Sequence, residues 1–337
     1  MNLADIGEFG FIDRIADRFG ISENSGIIGI GDDCAVIPET TSEALLVTTD
    51  LLIENIHFLK KAISPADLGH KALSVNLSDI AAMGGIPTSA FLSIALPSSI
   101  DLNWIDEFLS GMEQLAKAAS VSLLGGDTTH TKLGIVINIC VLGKAKKKNI
   151  KYRYTAVPGD VICVTGVTGD SAGGLDIILN HWDKERDEID DLLIHAHHHP
   201  NPHLKQGFWL AQQTAVHAML DVSDGVDSDI QRIMGASKVG ARINIERLPV
   251  TQSFLKAAER YHWDSHEMAL SGGEDYCLMC TVDPGDIEIL SAQFNEKFQH
   301  PLQPIGSILD NRRLEYYHHN KPVKLLHHGW DHFKQGS

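Results

Sequence analysis

The sequence predicts an α/β fold in two domains, on three observations. Strand-like apolar runs alternate with stretches of helical periodicity, the pattern of α/β layers. The chain has 337 residues, which at ~150 per domain is enough for two cores of ordinary size. The composition shifts at 144–153, where Lys144, Lys146, Lys147, Lys148, Lys151 and Arg153 crowd together before Pro158-Gly159-Asp160. A boundary placed there gives domains of 1–147 and 148–337. The basic run reads either as a solvated crossover between two sheets or as a basic wall beside a phosphate site.

The elements follow in order. Leu45-Leu46-Val47-Thr48-Thr49 is a buried strand ending at Asp50. Ser64-Pro65-Ala66-Asp67 starts a helix, with a Ser cap, Pro in the first turn and an acid three residues after the cap. That helix runs through Leu68, Ala72, Leu73, Leu77 and Ile80 to Gly84-Gly85. A second helix follows Asp101, with Trp104, Ile105, Phe108, Leu109, Met112, Leu115 and Ala116 at helical spacing. Residues 121–124 form a short strand ending in Gly125-Gly126-Asp127, and 134–143 another. In the second half, 161–165 is a strand, 171–179 a helix and 183–191 a charged surface stretch. His197, His198 and His199 read as a solvated turn before Pro200, with a metal role as the alternative. Strands follow at 219–222 and 276–282. The second half echoes the first: an apolar strand, then an acid beside glycine.

Lys and Arg total 28 and Asp and Glu 44, a net charge of -16. That balance argues against nucleic acid or an anionic membrane surface as the main partner. It leaves room for an anionic small molecule, which metal ions can carry into an acidic site. No apolar run approaches the ~18 residues of a membrane span. Residues 1–8 lack the basic start and apolar stretch of a signal peptide. The five cysteines are few, odd in number and mostly inside apolar runs, so a reduced, cytoplasmic protein is expected.

The acids carry the functional signal. Asp32 and Asp33 follow Gly29-Ile30-Gly31, and Asp50 ends a Thr-Thr strand. Asp79 lies on an apolar helix near its Gly-Gly stop, and Asp127 follows Gly125-Gly126. Asp221 and Asp224 flank Val222-Ser223, while Glu274 and Asp275 follow Gly272-Gly273. Each sits at or near the end of an apolar element. Carboxylates gathered there repel one another unless cations neutralise them, and hard cations such as Mg²⁺ take oxygen ligands and bridge to substrate phosphates. Taken singly, each motif is also a turn or a helix cap.

Other chemistries fit less well. No GxxxxGK[ST] motif occurs, and Gly29-Ile30-Gly31-Asp32-Asp33-Cys34 lacks the third glycine of a dinucleotide fingerprint. Cys277-Leu278-Met279-Cys280 lies inside an apolar run with no second pair. Gly169-Asp170-Ser171-Ala172-Gly173 fits the GxSxG pattern of a serine hydrolase. However, 166–170 separate the strand from Ser171, where a nucleophile elbow needs a tight turn.

Taken in order along the chain, several motifs form a match to a single known family. They begin with Gly7-Glu8-Phe9-Gly10-Phe11-Ile12, Gly29-Ile30-Gly31-Asp32-Asp33, Thr48-Thr49-Asp50 with His57-Phe58, and Val75-Asn76-Leu77-Ser78-Asp79-Ile80-Ala81-Ala82-Met83-Gly84-Gly85. Gly125-Gly126-Asp127, Asp221-Val222-Ser223-Asp224-Gly225, Ser271-Gly272-Gly273-Glu274-Asp275-Tyr276 and Gly329-Trp330-Asp331-His332-Phe333 continue the match. The ordered set resembles the thiamine-monophosphate kinase family, and its first and last motifs separate that family from its relatives, aminoimidazole ribonucleotide synthase and selenophosphate synthetase.

The resemblance implies a two-domain aminoimidazole ribonucleotide synthase-like fold, with mixed sheets and helices packed on one face. It implies a homodimer through the N-terminal domains and transfer of the ATP γ-phosphoryl group onto thiamine monophosphate, giving thiamine diphosphate. By motif, Asp33, Thr48, Thr49, Asp50, Asp79, Asp127 and Asp221 would hold several Mg²⁺ ions, with Asp224 on a further one. Asp50, Asp79 and Asp127 are the catalytic expectation. Gly126, Asp127, Arg153 and Ser223 would contact ATP, and His57, Glu274 and Trp330 the thiamine phosphate. The alternatives are another ATP-dependent enzyme of the superfamily, a catalytically weak binding protein and the serine hydrolase. Two positions depart from the family pattern. His203 follows Pro200-Asn201-Pro202 where the pattern has Arg, and Leu109 aligns with an aromatic that can stack near adenine.

Overall fold

The structure is a computed structural model that describes residues 3–21 and 25–325; the 329–333 motif, and Trp330 with it, lies outside the described residues. The first half contains α1 (Leu3–Arg18), β1 (Ala35–Pro38), β2 (Glu43–Ile53), α2 (Pro65–Ala82), β3 (Ile86–Leu96), α3 (Leu102–Ala119), β4 (Ser122–His130) and β5 (Val136–Lys146). The second half opens with β6 (Val161–Val164), α4 (Asp170–Asn180), α5 (Glu188–His198), α6 (Leu204–Ala211), β7 (Val216–Asp221), α7 (Val226–Ser237) and β8 (Gly240–Asn244). It closes with α8 (Gln252–Tyr261), α9 (Ser265–Ser271), β9 (Leu278–Val282), α10 (Ile287–Phe298), β10 (Gln303–Leu309), β11 (Leu314–His318) and β12 (Lys321–Val323).

The strands form two mixed sheets, in the orders β1-β2-β5-β3-β4 and β12-β11-β8-β10-β6-β9-β7. Helix α2 joins them, packing on β2, β5 and α3 of the first unit and on β7, α5 and α6 of the second. That position explains why α2 is buried nearly all round, polar residues included. Its start is local chemistry: the Ser64 hydroxyl accepts the Asp67 N–H at 3.0 Å, and Pro65 opens the first turn.

Several strands run past their expected ends. β2 continues three residues beyond Asp50, because β5 pairs with it from Glu43↔Lys146 to Ile53↔Val136. β4 carries through Gly125-Gly126-Asp127 because it pairs in parallel with β3, with Ser93 opposite Asp127. Lys144 and Lys146 belong to β5, so the basic run is not wholly a crossover.

The histidine turn is corrected as well. Asp187 caps α5 through a capping box, and His197 and His198 form its buried last turn, at 4% and 7% exposure. The charged stretch before them is also partly interior, since buried Asp190 accepts from Arg260 at 3.1 Å.

Candidate active site

Asp33, Asp79 and Asp221 each bring one carboxylate oxygen within 4.8 Å of the other two. Asp33 comes from the loop before β1, Asp79 from the last turn of α2 and Asp221 from the end of β7. The cluster therefore draws on both halves of the chain. Burial pushes Asp79 well above the usual carboxylate range, and Asp50, Asp221 and Asp33 push it further; the Thr48 hydroxyl, which donates to Asp79, opposes them. Burial and then Asp33 raise Asp221 to about 7. Burial, Asp224 and Asp33 raise Asp50 to about 6. Burial and Asp33 raise Asp32 to about 7 against the pull of Arg153. Gathered and buried in this way, carboxyl groups favour their neutral form, and a cation beside them would favour the charged one.

The nearest counter-charge is Arg153. Its Nη2 donates to Asp33 Oδ1 at 2.6 Å and its backbone N–H to Asp32 Oδ2 at 3.1 Å. Burial would lower the guanidinium pKa, but Asp33 and Asp32 raise it.

Side chains alternate along β2, so Thr48 and Asp50 face α2 and Thr49 does not. The Asp50 N–H donates to Asn76 Oδ1 at 3.0 Å, one helical turn before Asp79. The Thr49 hydroxyl instead accepts from Asn138 Nδ2 at 2.8 Å on the sheet's other face. Thr49 can share an ion with Thr48 only through a backbone atom.

Gly126 has φ +151°, and a Cβ there would lie 1.6 Å from the Leu92 carbonyl oxygen, so β3 and β4 can approach only across a glycine. Asp127 is exposed on the edge strand β4, its Oδ1 accepting the Thr128 N–H at 3.0 Å, and is not one of the three clustered carboxylates. Beyond β7 and β9 the ladder continues: Tyr276 N–H donates to Val222 O at 2.8 Å and Glu274 N–H to Ser223 O at 2.7 Å. This sets Glu274 beside the Ser223-Asp224-Gly225 turn. Asp224 accepts from Arg232, an arginine of α7, so one of its oxygens is already paired. Asp275 caps the Gly169 loop, accepting its N–H at 3.0 Å. Ile53 N–H donates to His57 Nδ1 at 3.0 Å, which in the neutral ring places the proton on Nε2.

Glu274 also anchors a buried network that the motifs do not reveal. Lys71, 0% exposed on α2, donates to Glu274 Oε2 at 2.9 Å and to the His197 carbonyl at 3.0 Å. The signal for Lys71 is in the spacing: it lies three residues after Leu68 and four before Val75, on an apolar face where a lysine needs a partner. His197 is held neutral by burial, then by Lys71 and His198. Its Nδ1 faces both Ser171 Oγ, at 3.0 Å, and Glu274 Oε2, at 3.1 Å, while Nε2 faces Lys71. A hydrolytic triad needs the serine and the acid on opposite ring nitrogens. Ser171 is moreover 1% exposed, so it is a packing hydroxyl at the start of α4. Ser171→Ala is therefore expected to keep turnover within about an order of magnitude of the parent, and no fluorophosphonate should label the parent. Complete loss of activity in a folded variant would contradict this.

His203, where the family pattern has Arg, bonds through Nδ1 to Thr165 Oγ1 at 2.8 Å and is held down to about 4 by burial and by His300. It cannot replace a cationic phosphate contact. Leu109 is 40% exposed on α3.

Comparison with known proteins decides the family. Residues 31–145 match the family model for AIR synthase related protein, N-terminal domain, and residues 157–319 that for its C-terminal domain. A thiamine-monophosphate kinase of Haemophilus influenzae is 36% identical over 98% of this chain and 99% of its own length. One from Escherichia coli is 37% identical over 97% and 98%. The chain belongs to the thiamine-monophosphate kinase family. A solved structure of AaThiL complexed with AMPPCP and TMP superposes with a TM-score of 0.84 at 30% identity, covering 98% of this chain and 99% of that one. The thiamine-monophosphate kinase of Stenotrophomonas maltophilia gives 0.76 at 32%, covering 94% and 98%. The two-domain fold with mixed sheets expected from the kinase motifs is the one observed. Hydrogenase maturation protein HypE, at 18% identity, shares the fold alone.

Proposed function

We propose that the protein transfers the γ-phosphoryl group of ATP directly, in line, to the phosphate of thiamine monophosphate, giving thiamine diphosphate and ADP. The observation that carries this reading is the convergence of Asp33, Asp79 and Asp221 from separate elements into one cluster, in which burial and the neighbouring carboxylates raise Asp79 and Asp221. An all-oxygen donor set of this kind suits Mg²⁺. Asp33, Asp79 and Asp221 would hold it, joined by Thr48, Asp50, a backbone atom of Thr49, Asp127 and the second oxygen of Asp224. Bound there, the ions would neutralise the phosphate oxygens of both substrates.

The chain's own groups do the positioning. Arg153 is the counter-charge of Asp33 without metal and becomes available to a nucleotide phosphate once cations take over the carboxylates. The Gly126 backbone and Ser223 border the nucleotide. His57 donates to the acceptor phosphate, Glu274 is held toward the thiamine side by Lys71, and Trp330, by its motif alone, would contact thiamine. The acceptor oxygen is already anionic, so no side chain need act as a strong base.

No helix of the described residues is long and apolar enough to cross a membrane. The same reading places the enzyme in the cytoplasm, away from nucleic acid and membranes, with a domain boundary at 147/148. It also makes the enzyme a homodimer through the first sheets. β4 is an edge strand exposed along its length, with Leu123 and Leu124 at 48% and 61%, a surface that calls for cover. Sedimentation equilibrium should give twice the chain mass; a monomer at micromolar concentration would contradict the dimer.

The acceptor is tested by comparing substrates. Thiamine monophosphate should be turned over at least about 100-fold better than free thiamine, because a cation-filled site positions an anion and not an alcohol. Equal turnover of the two would overturn the assignment.

A further inference from the structure

The histidine run at the end of α5 contains two residues that the phosphoryl-transfer reading leaves unused. His195 and His199 are four apart, and the His199 N–H donates to the His195 carbonyl at 2.8 Å, so a helical bond stacks them on one face. Asp67, in the first turn of α2, meets them from the other half of the chain. One donor atom of each of Asp67, His195 and His199 lies within 4.8 Å of the other two. His199 Nδ1 is 3.2 Å from Asp67 Oδ1.

The three side chains are held in place. The Ser64 hydroxyl donates to the other Asp67 oxygen, Oδ2, at 2.7 Å, which fixes the carboxylate as the hydrogen bonds around a metal ligand do. The His199 ring stacks on His195, with centroids 4.9 Å apart, and on His70, at 3.4 Å. His70 is itself pinned by its Nε2–H, which donates to the Pro200 carbonyl at 2.8 Å. The Asp67 and His199 side chains keep 33% and 38% of their surface in solvent, so an ion can enter and keep water.

We propose that Asp67, His195 and His199 form a second metal site, for a borderline divalent transition-metal ion of the Zn²⁺ or Ni²⁺ class, with a further position open to water. Two imidazoles and one carboxylate are the donor set such ions favour, whereas Mg²⁺ seeks oxygen. The two sites therefore sort cations by donor type: oxygen alone at Asp33-Asp79-Asp221, nitrogen and oxygen here. Because Asp67 belongs to α2 and both histidines to the end of α5, a bound ion ties the two halves of the chain together. It would act as a structural clip, 12 residues before Asp79 on the same helix.

The test uses the full-length protein, stripped with chelator and then saturated with Mg²⁺ to occupy the carboxylates. Co²⁺ should bind at one equivalent with the visible absorption of a low-coordinate nitrogen–oxygen site, and Zn²⁺ should displace it. The His195→Ala/His199→Ala double variant should lose that absorption. Asp67→Asn should weaken binding at least about tenfold. Zn²⁺ should raise the melting temperature of the parent and not of the double variant, while the metal-free melts of the two stay close. If the double variant is unstable, the exposed single change His195→Gln should still weaken Co²⁺ binding. Co²⁺ binding of unchanged stoichiometry and affinity in these variants, or no Zn²⁺ effect on the parent, would overturn the proposal.

Discussion

Asp79→Asn should abolish most of the stabilisation that Mg²⁺ with nucleotide gives the parent, and reduce turnover by about 100-fold or more. The metal-free variant should be as stable as the parent or slightly more so. Asp79 is crowded by Asp50, Asp221 and Asp33 in a buried site, and Asn removes the charge at nearly constant volume. A ligand at ~100 times its dissociation constant stabilises the native state by about 2.7 kcal/mol. At about 2.1 cal/mol/K of unfolding entropy per residue, a chain of 337 residues shifts by about 1.4 °C per kcal/mol, so the expected shift is about 4 °C. Melts with and without Mg²⁺ and a non-hydrolysable ATP analogue read both effects. An unchanged ligand shift, or a metal-free variant melting many degrees lower, would make Asp79 a structural residue instead.

The pH dependence of that shift has a definite sign. Asp32, Asp50 and Asp221 rise to about 6–7 in the folded protein from 3.8. They bind more protons folded than unfolded across that window, so their contribution is present at low pH and is lost as pH rises through the folded values. His70, His198 and His203, lowered to about 4, act oppositely: their contribution is present above about 6.5 and is lost as pH falls. Only the carboxyls must release protons to bind a cation. The Mg²⁺-induced shift should therefore be larger at pH 8 than at pH 5.5, and less pH-dependent in Asp79→Asn.

The second large effect is expected at Lys71. Lys71→Met strands Glu274 and the His197 carbonyl without their buried cation, a loss of about 3–5 kcal/mol. Melting should fall by about 4–7 °C. The double variant Lys71→Met/Glu274→Gln should recover much of this, because the uncompensated carboxylate is gone. If Lys71 holds Glu274 toward the thiamine side, the KM for thiamine monophosphate should rise in Lys71→Met while the nucleotide-induced shift persists. A single variant melting within about 1 °C of the parent would contradict the account.

What the sequence revealed follows the range of the forces involved. The start of α2 was readable because Ser64, Pro65 and Asp67 act on their own backbone. The ends of β2 and β4 were not, because β5 and β3 set them from far along the chain. The acids of the site were visible as carboxylates at the ends of apolar elements. Which of them converge was not: nothing local distinguishes Asp79, inside the cluster, from Asp127, exposed on β4. The buried histidines were hidden for the same reason. A His-His-His-Pro run looks solvated until Lys71 and Glu274, distant in sequence, enclose its first member.

The central claim is that this site moves a γ-phosphoryl group onto thiamine monophosphate. ³¹P NMR of the protein with ATP, Mg²⁺ and thiamine monophosphate tests it most directly. The expected result is equal amounts of ADP and thiamine diphosphate, formed only with Mg²⁺ and at a rate lower by about 100-fold or more in Asp79→Asn. Formation of AMP and pyrophosphate, of inorganic phosphate alone, or of no thiamine diphosphate would contradict it.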